Sequence, residues 1–167
     1  MVKLLFPRWR MAIRLSLLGF TDSAVNDVLR ARKHAAERHQ REVAPEHVLL
    51  ALVTDPRGIA RMALGRLGLD LSGQAGAIAA LLDGEPTKPQ SDNPILGPTT
   101  EYLLSQAREQ ALASGQKYVG TEHLVLALLS VPSPAASYLR GHGEWTRSPV
   151  SRRRKTRDRL PKRSRAQ

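Results

Sequence analysis

The chain has 167 residues, no cysteine, 4% aromatic residues and a formal net charge of +11. That length suits one domain with tails, and the lack of thiols excludes both a disulfide framework and a thiolate metal site. The charge is terminal: residues 20–143 hold 12 Lys/Arg against 13 Asp/Glu, whereas 1–19 add four positive charges and 144–167 add ten positive and two negative. The middle of the chain therefore presents no global field for polyanions.

Residues 1–19 are apolar but interrupted by Lys3, Arg8, Arg10 and Arg14. The interruptions exclude a membrane-spanning helix and make a poor secretory signal. Two readings stay open for this basic, apolar extension: a helical or disordered lead-in with Met11 as the true start, or a membrane-surface helix carrying Trp9, Ile13 and Leu17 at helical spacing. Thr21-Asp22-Ser23 then offers helix N-caps, and Ala24, Val28, Ala31 and Ala35 recur at steps of three and four. That spacing predicts an amphipathic helix to about His39. Pro45 suits the first turn of a second helix, which carries the apolar run Val48–Val53 and stops near Asp55-Pro56. Residues 58–67 read as a third helix. Ser72 is expected to cap a fourth, ending at Asp83-Gly84.

A Pro-, Gly- and polar-rich linker follows at 85–98. Beyond it, Thr99 or Thr100 is expected to cap a helix running to about Ser114, with Gly115 as its C-cap. Residues 121–130 read as the next helix and 134–140 as a short further one.

The chain contains one segment twice. Val43-Ala44-Pro45-Glu46-His47-Val48-Leu49-Leu50-Ala51-Leu52-Val53 reappears 76 residues later as Val119-Gly120-Thr121-Glu122-His123-Leu124-Val125-Leu126-Ala127-Leu128-Leu129. The same offset superposes Ala31 on Ala107, Arg32 on Arg108, Ala35 on Ala111, Gln40 on Gln116 and Pro56 on Pro132. A register held through loops as well as helices indicates duplication of one structural unit. Leu50 and Leu126 are equivalent positions of this repeat, and both are expected in the core. The copy fails after Gly143, where Arg/Ser/Pro-rich sequence replaces the expected last helix.

The doubled E-H-[V/L]-x-L-A-L core, the opening Phe20-Thr21-Asp22-x-Ala24 and the string Gly120-Thr121-Glu122-His123-Leu124 resemble the N-terminal domain of Clp-family AAA+ unfoldases, also called the Clp repeat domain. The resemblance covers about residues 20–140. It implies an all-α fold of two pseudo-symmetric four-helix repeats, with about eight helices expected and the last one lost. The expected organisation is an extension at 1–19, a double-repeat domain at 20–143 (repeat one 20–84, repeat two 99–143) and a basic, disordered tail at 144–167.

In the family this module docks protein substrates and adaptors for an unfoldase ring. The expected function is therefore non-catalytic protein recognition in the cytoplasm, by a monomer, with substrates, adaptors or the unfoldase itself as partners. The sequence holds no G-x-x-x-x-G-K-[S/T] loop, so ATP hydrolysis is not expected, nor is any cofactor, metal or catalytic residue. Some relatives bind phosphorylated arginine through two symmetry-related pockets. By resemblance, the substrate-binding residues are Thr21, Glu46, Glu122 and Thr121. A carboxylate would hold the guanidinium, while helix N-terminal N–H groups and a hydroxyl would hold the phosphate. The first pocket transfers as Thr21 with Glu46, placed at the polar mouth of a groove. The second keeps Glu122 and Thr121 but has Gly97 where Thr21 stands, and Pro45 replaces the family's Thr beside Glu46.

First-turn Glu46 and Glu122 also suit plain helix-dipole complementation. His47 and His123, one per repeat, have no partner at ligand spacing and are read as capping or buried imidazoles, not as metal ligands; His34 and His39 form no zinc pattern either. The tail Arg152-Arg153-Arg154-Lys155-Thr156-Arg157 supports a rival reading, a nucleic-acid-associated protein with salt-dependent, sequence-independent affinity. A truncated or degenerate Clp fragment is the third reading.

Overall fold

The computed structural model describes residues 16–66, 68–69, 73–83 and 93–142. Seven complete helices lie within these residues: α1 Asp22–Glu37, α2 Pro45–Thr54, α3 Ile59–Arg66, α4 Gln74–Ala80, α5 Pro98–Ala113, α6 Thr121–Ser130 and α7 Pro134–His142. The fold is all-α, as the resemblance implied. The expected cap Ser72, most of the linker, nearly all of the N-terminal extension and the basic tail lie outside the described residues.

Helix α1 starts where Thr21 Oγ1 accepts the Ala24 N–H at 3.3 Å, and Asp22 adds a favourable charge in the first turn. It buries the stripe Ala24, Val28, Ala31 and Ala35. It ends at His39, whose φ of 54° lies in the left-handed region, with the Gln40 N–H closing on the Ala35 carbonyl at 2.9 Å. The equivalent helix α5 ends in the same way at Gly115, φ 69°, with the Gln116 N–H on Ala111 O at 2.8 Å. The cap at the start of α5 differs from expectation. Gly97 is the N-cap, without a side-chain bond, and Pro98 is the first helical residue. Thr100 is buried inside the helix and donates its hydroxyl to Val43 O at 2.6 Å.

Two short parallel pairings join the repeats. Strand β1, Glu42–Val43, pairs with β2, Ile95–Leu96, and Phe20 bridges Val119. The two pairings are related by the repeat: the leader of each unit hydrogen-bonds to the segment that precedes the second helix of the other. Gly97 N–H donates to Val43 O at 3.1 Å, and Thr21 N–H donates to Val119 O at 2.9 Å. The equivalent arginines complete the exchange. Buried Arg32 donates through Nε to Pro94 O at 3.0 Å and through Nη2 to Asn93 Oδ1, just ahead of β2. Arg108 donates to Ser16 O and lies 4.9 Å over the Phe20 ring, on the other leader. Each repeat thus clamps the other's leader, and the two units interlock.

The core follows from the two apolar central helices. Leu49, Leu52, Leu124 and Leu128 are almost wholly buried, packed among Leu64, Ile78, Leu103, Leu104 and Leu139. Helix α4 packs along α2, and there Leu50 is 3% exposed. No described element corresponds to α4 in repeat two. Leu126, the mate of Leu50, is 42% exposed, so its expected core position is corrected: the covering helix of its repeat is missing among the described residues.

Candidate protein-recognition surfaces

Glu46 and Glu122 occupy the same position of two equivalent helices and have unequal surroundings. Glu46 is 6% exposed, and its Oε1 accepts the Ala135 N–H at 3.0 Å. It therefore belongs to the N-terminus of α7, where an anion complements the helix dipole across the repeat interface. Glu46, expected at the polar mouth of a groove, is instead buried with its carboxylate turned to the start of α7. Glu122 keeps 48% of its side chain exposed, and its Oε1 lies 3.6 Å from His123 Nδ1. Its carboxylate folds back so closely over Gly120 that a Cβ there would clash with Oε2.

Thr21 spends its hydroxyl on the α1 cap, while Thr121 is buried at the first turn of α6. The structure therefore brings Thr21 beside Val119, at the boundary of repeat two, through the leader exchange. The two histidines act alike. His47 Nδ1 accepts the Ala44 N–H and His123 Nδ1 the Gly120 N–H, each at 2.9 Å. Each ring stands in for the carboxylate of a capping box. Burial pushes His47 down to about 4, so the neutral ring that can accept this bond is the form present at pH 7. Among the described residues no three His, Asp or Glu side chains gather as a metal site.

A charged cluster ties α1 to the end of α2. Arg30 reaches Asp27 at 3.0 Å, Asp55 at 3.3 Å and the Ala51 carbonyl at 3.3 Å, which places a cation at the C-terminal end of α2. Burial raises Asp27 to about 6 despite this partner.

The apolar surface gathers elsewhere. A cleft of about 140 Å³ lies where the leader of repeat one meets the end of α5, lined by Leu18, Gly19, Arg108, Leu112, Lys117 and Val119. Leu18 is 67% exposed and Leu112 75%, with Tyr118, 53% exposed, adjoining in sequence. Sequence reasoning did not single out this cleft. Leu112 occupies the position of Ala36 and lies off the apolar stripe of its helix, which was the available signal.

A family model for the Clp repeat (R) N-terminal domain matches residues 19–142. An uncharacterised protein of Mycobacterium tuberculosis is 35% identical over 135 residues, covering 81% of this chain and 50% of its own length. The chain thus spans about half the length of the mycobacterial relatives it matches. The chaperone protein ClpB of Oceanobacillus iheyensis is 30% identical over 110 residues, 66% of this chain and 13% of the relative. Among solved structures, the N-terminal domain of the ClpV1 ATPase from Escherichia coli superposes with a TM-score of 0.65 at 22% identity, covering 78% of this chain and 82% of that one. A ClpV N-domain in complex with a VipB peptide gives 0.64 at 22% identity, over 79% and 84%. This chain is built of two interlocked copies of one helical unit, and with the family model matching residues 19–142 it belongs to the Clp repeat N-terminal domain family.

Proposed function

We propose that this domain is a cytoplasmic, non-catalytic protein-recognition module that binds unfolded segments of substrates or adaptors of a Clp unfoldase. The observation that carries the reading is the apolar cleft at Leu18 and Leu112, beside Lys117. Exposed leucines beside polar groups suit an apolar stretch of a bound peptide. The ClpV N-domain complexed with a VipB peptide has the same fold and supports the reading.

Of the carboxylates considered for a phosphorylated arginine, Glu122 is the one open to solvent, whereas Glu46 is held by Ala135. We therefore assign no phosphoarginine pocket to Thr21 and Glu46. Fluorescence anisotropy of labelled casein, used as a generic unfolded chain, tests the main reading. Saturable binding is expected, weakened by Leu112→Asp with no loss of melting temperature. Absence of binding, or equal binding by that variant, refutes it. An NMR titration with free phosphoarginine tests the second point. The Thr21 and Glu46 amides are expected to stay unmoved, and saturable shifts there that vanish in Glu46→Ala would reverse the assignment.

A further inference from the structure

The pseudo-twofold relation leaves one helix face unlike its mate. In repeat one, α4 lies along α2 with Ile78 fully buried and Leu82 6% exposed, four residues apart. In repeat two the corresponding stripe of α6 is uncovered: Leu126 is 42% exposed, Leu129 half-buried and Glu122 48% exposed. Residues 122, 126 and 129 lie at helical steps of four and three, so they form one continuous stripe. Helix α3 packs against α6 and adds exposed Ile59 and Met62.

The sequence at the repeat-equivalent positions of α4 is charged where α4 is apolar. The offset of 76 carries Ile78 to Arg154, Ala79 to Lys155 and Leu82 to Asp158. Packing those charged groups on Leu126 would strip them of water with no partner in return. We propose that the α6 stripe is a docking site for an amphipathic helix of a partner protein. That helix presents two apolar residues four apart to Leu126 and Leu129, and a Lys or Arg to Glu122. Its form is argued from α4, which packs along α2, the twofold mate of α6, while α7 takes the Glu46 end of that helix; its charge is argued from the half-exposed Glu122 carboxylate. The inference rests on the protein-recognition reading but not on the Leu18–Leu112 cleft.

The test uses the full, isotope-labelled chain and a helix-stapled, lysine-tagged peptide of residues 73–83, because a free peptide of that length holds little helix. Saturable amide shifts are expected at Glu122, Leu126 and Leu129. Leu126→Asp should weaken binding by about tenfold or more while lowering the melting temperature by no more than about 4 °C, since the lost contact is one leucine's burial. Leu112→Asp should bind as the parent does. A peptide that moves no residue of the stripe, or binds Leu126→Asp equally well, overturns the inference. If casein binding persists in that case, the protein-recognition reading stands and only this site falls. Self-association of the parent that Leu126→Asp abolishes in sedimentation would also overturn it, by making a second copy the occupant.

Discussion

Replacing Glu46 by alanine should destabilise the domain far more than the same change at Glu122, although the two occupy one position of the repeat. In Glu46→Ala the Ala135 N–H, bonded at 3.0 Å, loses its acceptor in a buried site. A buried donor left unsatisfied costs about 1–3 kcal/mol, and the lost anion at the α7 N-terminus about 0.3–1 kcal/mol more. Removing the carboxylate also recovers part of its desolvation cost, so a net loss of about 2 kcal/mol is expected. At about 2–4 °C per kcal/mol for a chain of this size, that is a fall of about 4–8 °C in melting temperature. Ala136 and Ser137 keep their bonds to Ser133, so the rest of the α7 cap survives. Glu46→Gln retains an acceptor and should lose less than Glu46→Ala. Glu122→Ala removes a half-exposed side chain and should stay within about 0.5 kcal/mol of the parent. Urea denaturation followed by circular dichroism, with all three variants at one pH, measures these differences. Equal losses for Glu46→Ala and Glu122→Ala would refute the reasoning, because the asymmetry rests entirely on the contact with Ala135.

Leu50→Ala should cost about 2–5 kcal/mol, as for other buried leucines, while Leu126→Ala should cost about 1 kcal/mol or less; matching thermal melts would contradict the missing cover over α6. The acid response should reveal two opposed groups. His47 binds its proton near 4 when folded and near 6.5 when unfolded, so stability falls as pH drops through that window, by about 3 kcal/mol in all. His34, also lowered chiefly by burial, acts in the same direction. Asp27 is raised from 3.8 to about 6, so the folded state binds the extra proton and stability rises by about 3 kcal/mol as pH falls from 6 to 3.8. Asp27→Asn should therefore unmask a steep loss of stability between pH 6.5 and 4 that the parent largely offsets; parallel profiles would rule this out. His39→Gly should raise stability by about 0.5–1 kcal/mol in a denaturant melt, because His39 holds a left-handed φ of 54° where its mate is Gly115. A loss of stability would show that the His39 side chain matters more than its backbone strain.

Local chemistry left a clear record in the residues. The Ala24–Ala35 stripe, Pro45 at a helix start, Gly115 at a helix end and the doubled E-H core each act within one or two turns. Their helices stand where the spacing put them: 121–130 matches residue for residue, and the first three begin or end within two residues of expectation. The repeat marked one duplicated unit, and the resemblance its motifs carry to the Clp repeat domain gave the all-α fold class. Caps were less legible where proline intervened: Pro98 starts α5, so Gly97 takes the cap and Thr99 and Thr100 fall inside the helix. What the two copies do to each other was not legible at all. The offset marks Arg32 and Arg108 as equivalent but says nothing of the leaders they clamp, because those contacts span 61 to 92 residues. Glu46 and Glu122 look alike in sequence and diverge because one faces the start of α7 and the other faces solvent. Leu126 reads as core by pattern and is exposed, since burial depends on a neighbour that no periodicity within α6 can supply. Spacing along the chain sets which face of a helix is apolar, but what covers that face is a property of distant segments, and here it separates two nearly identical helices into an internal brace and an open surface.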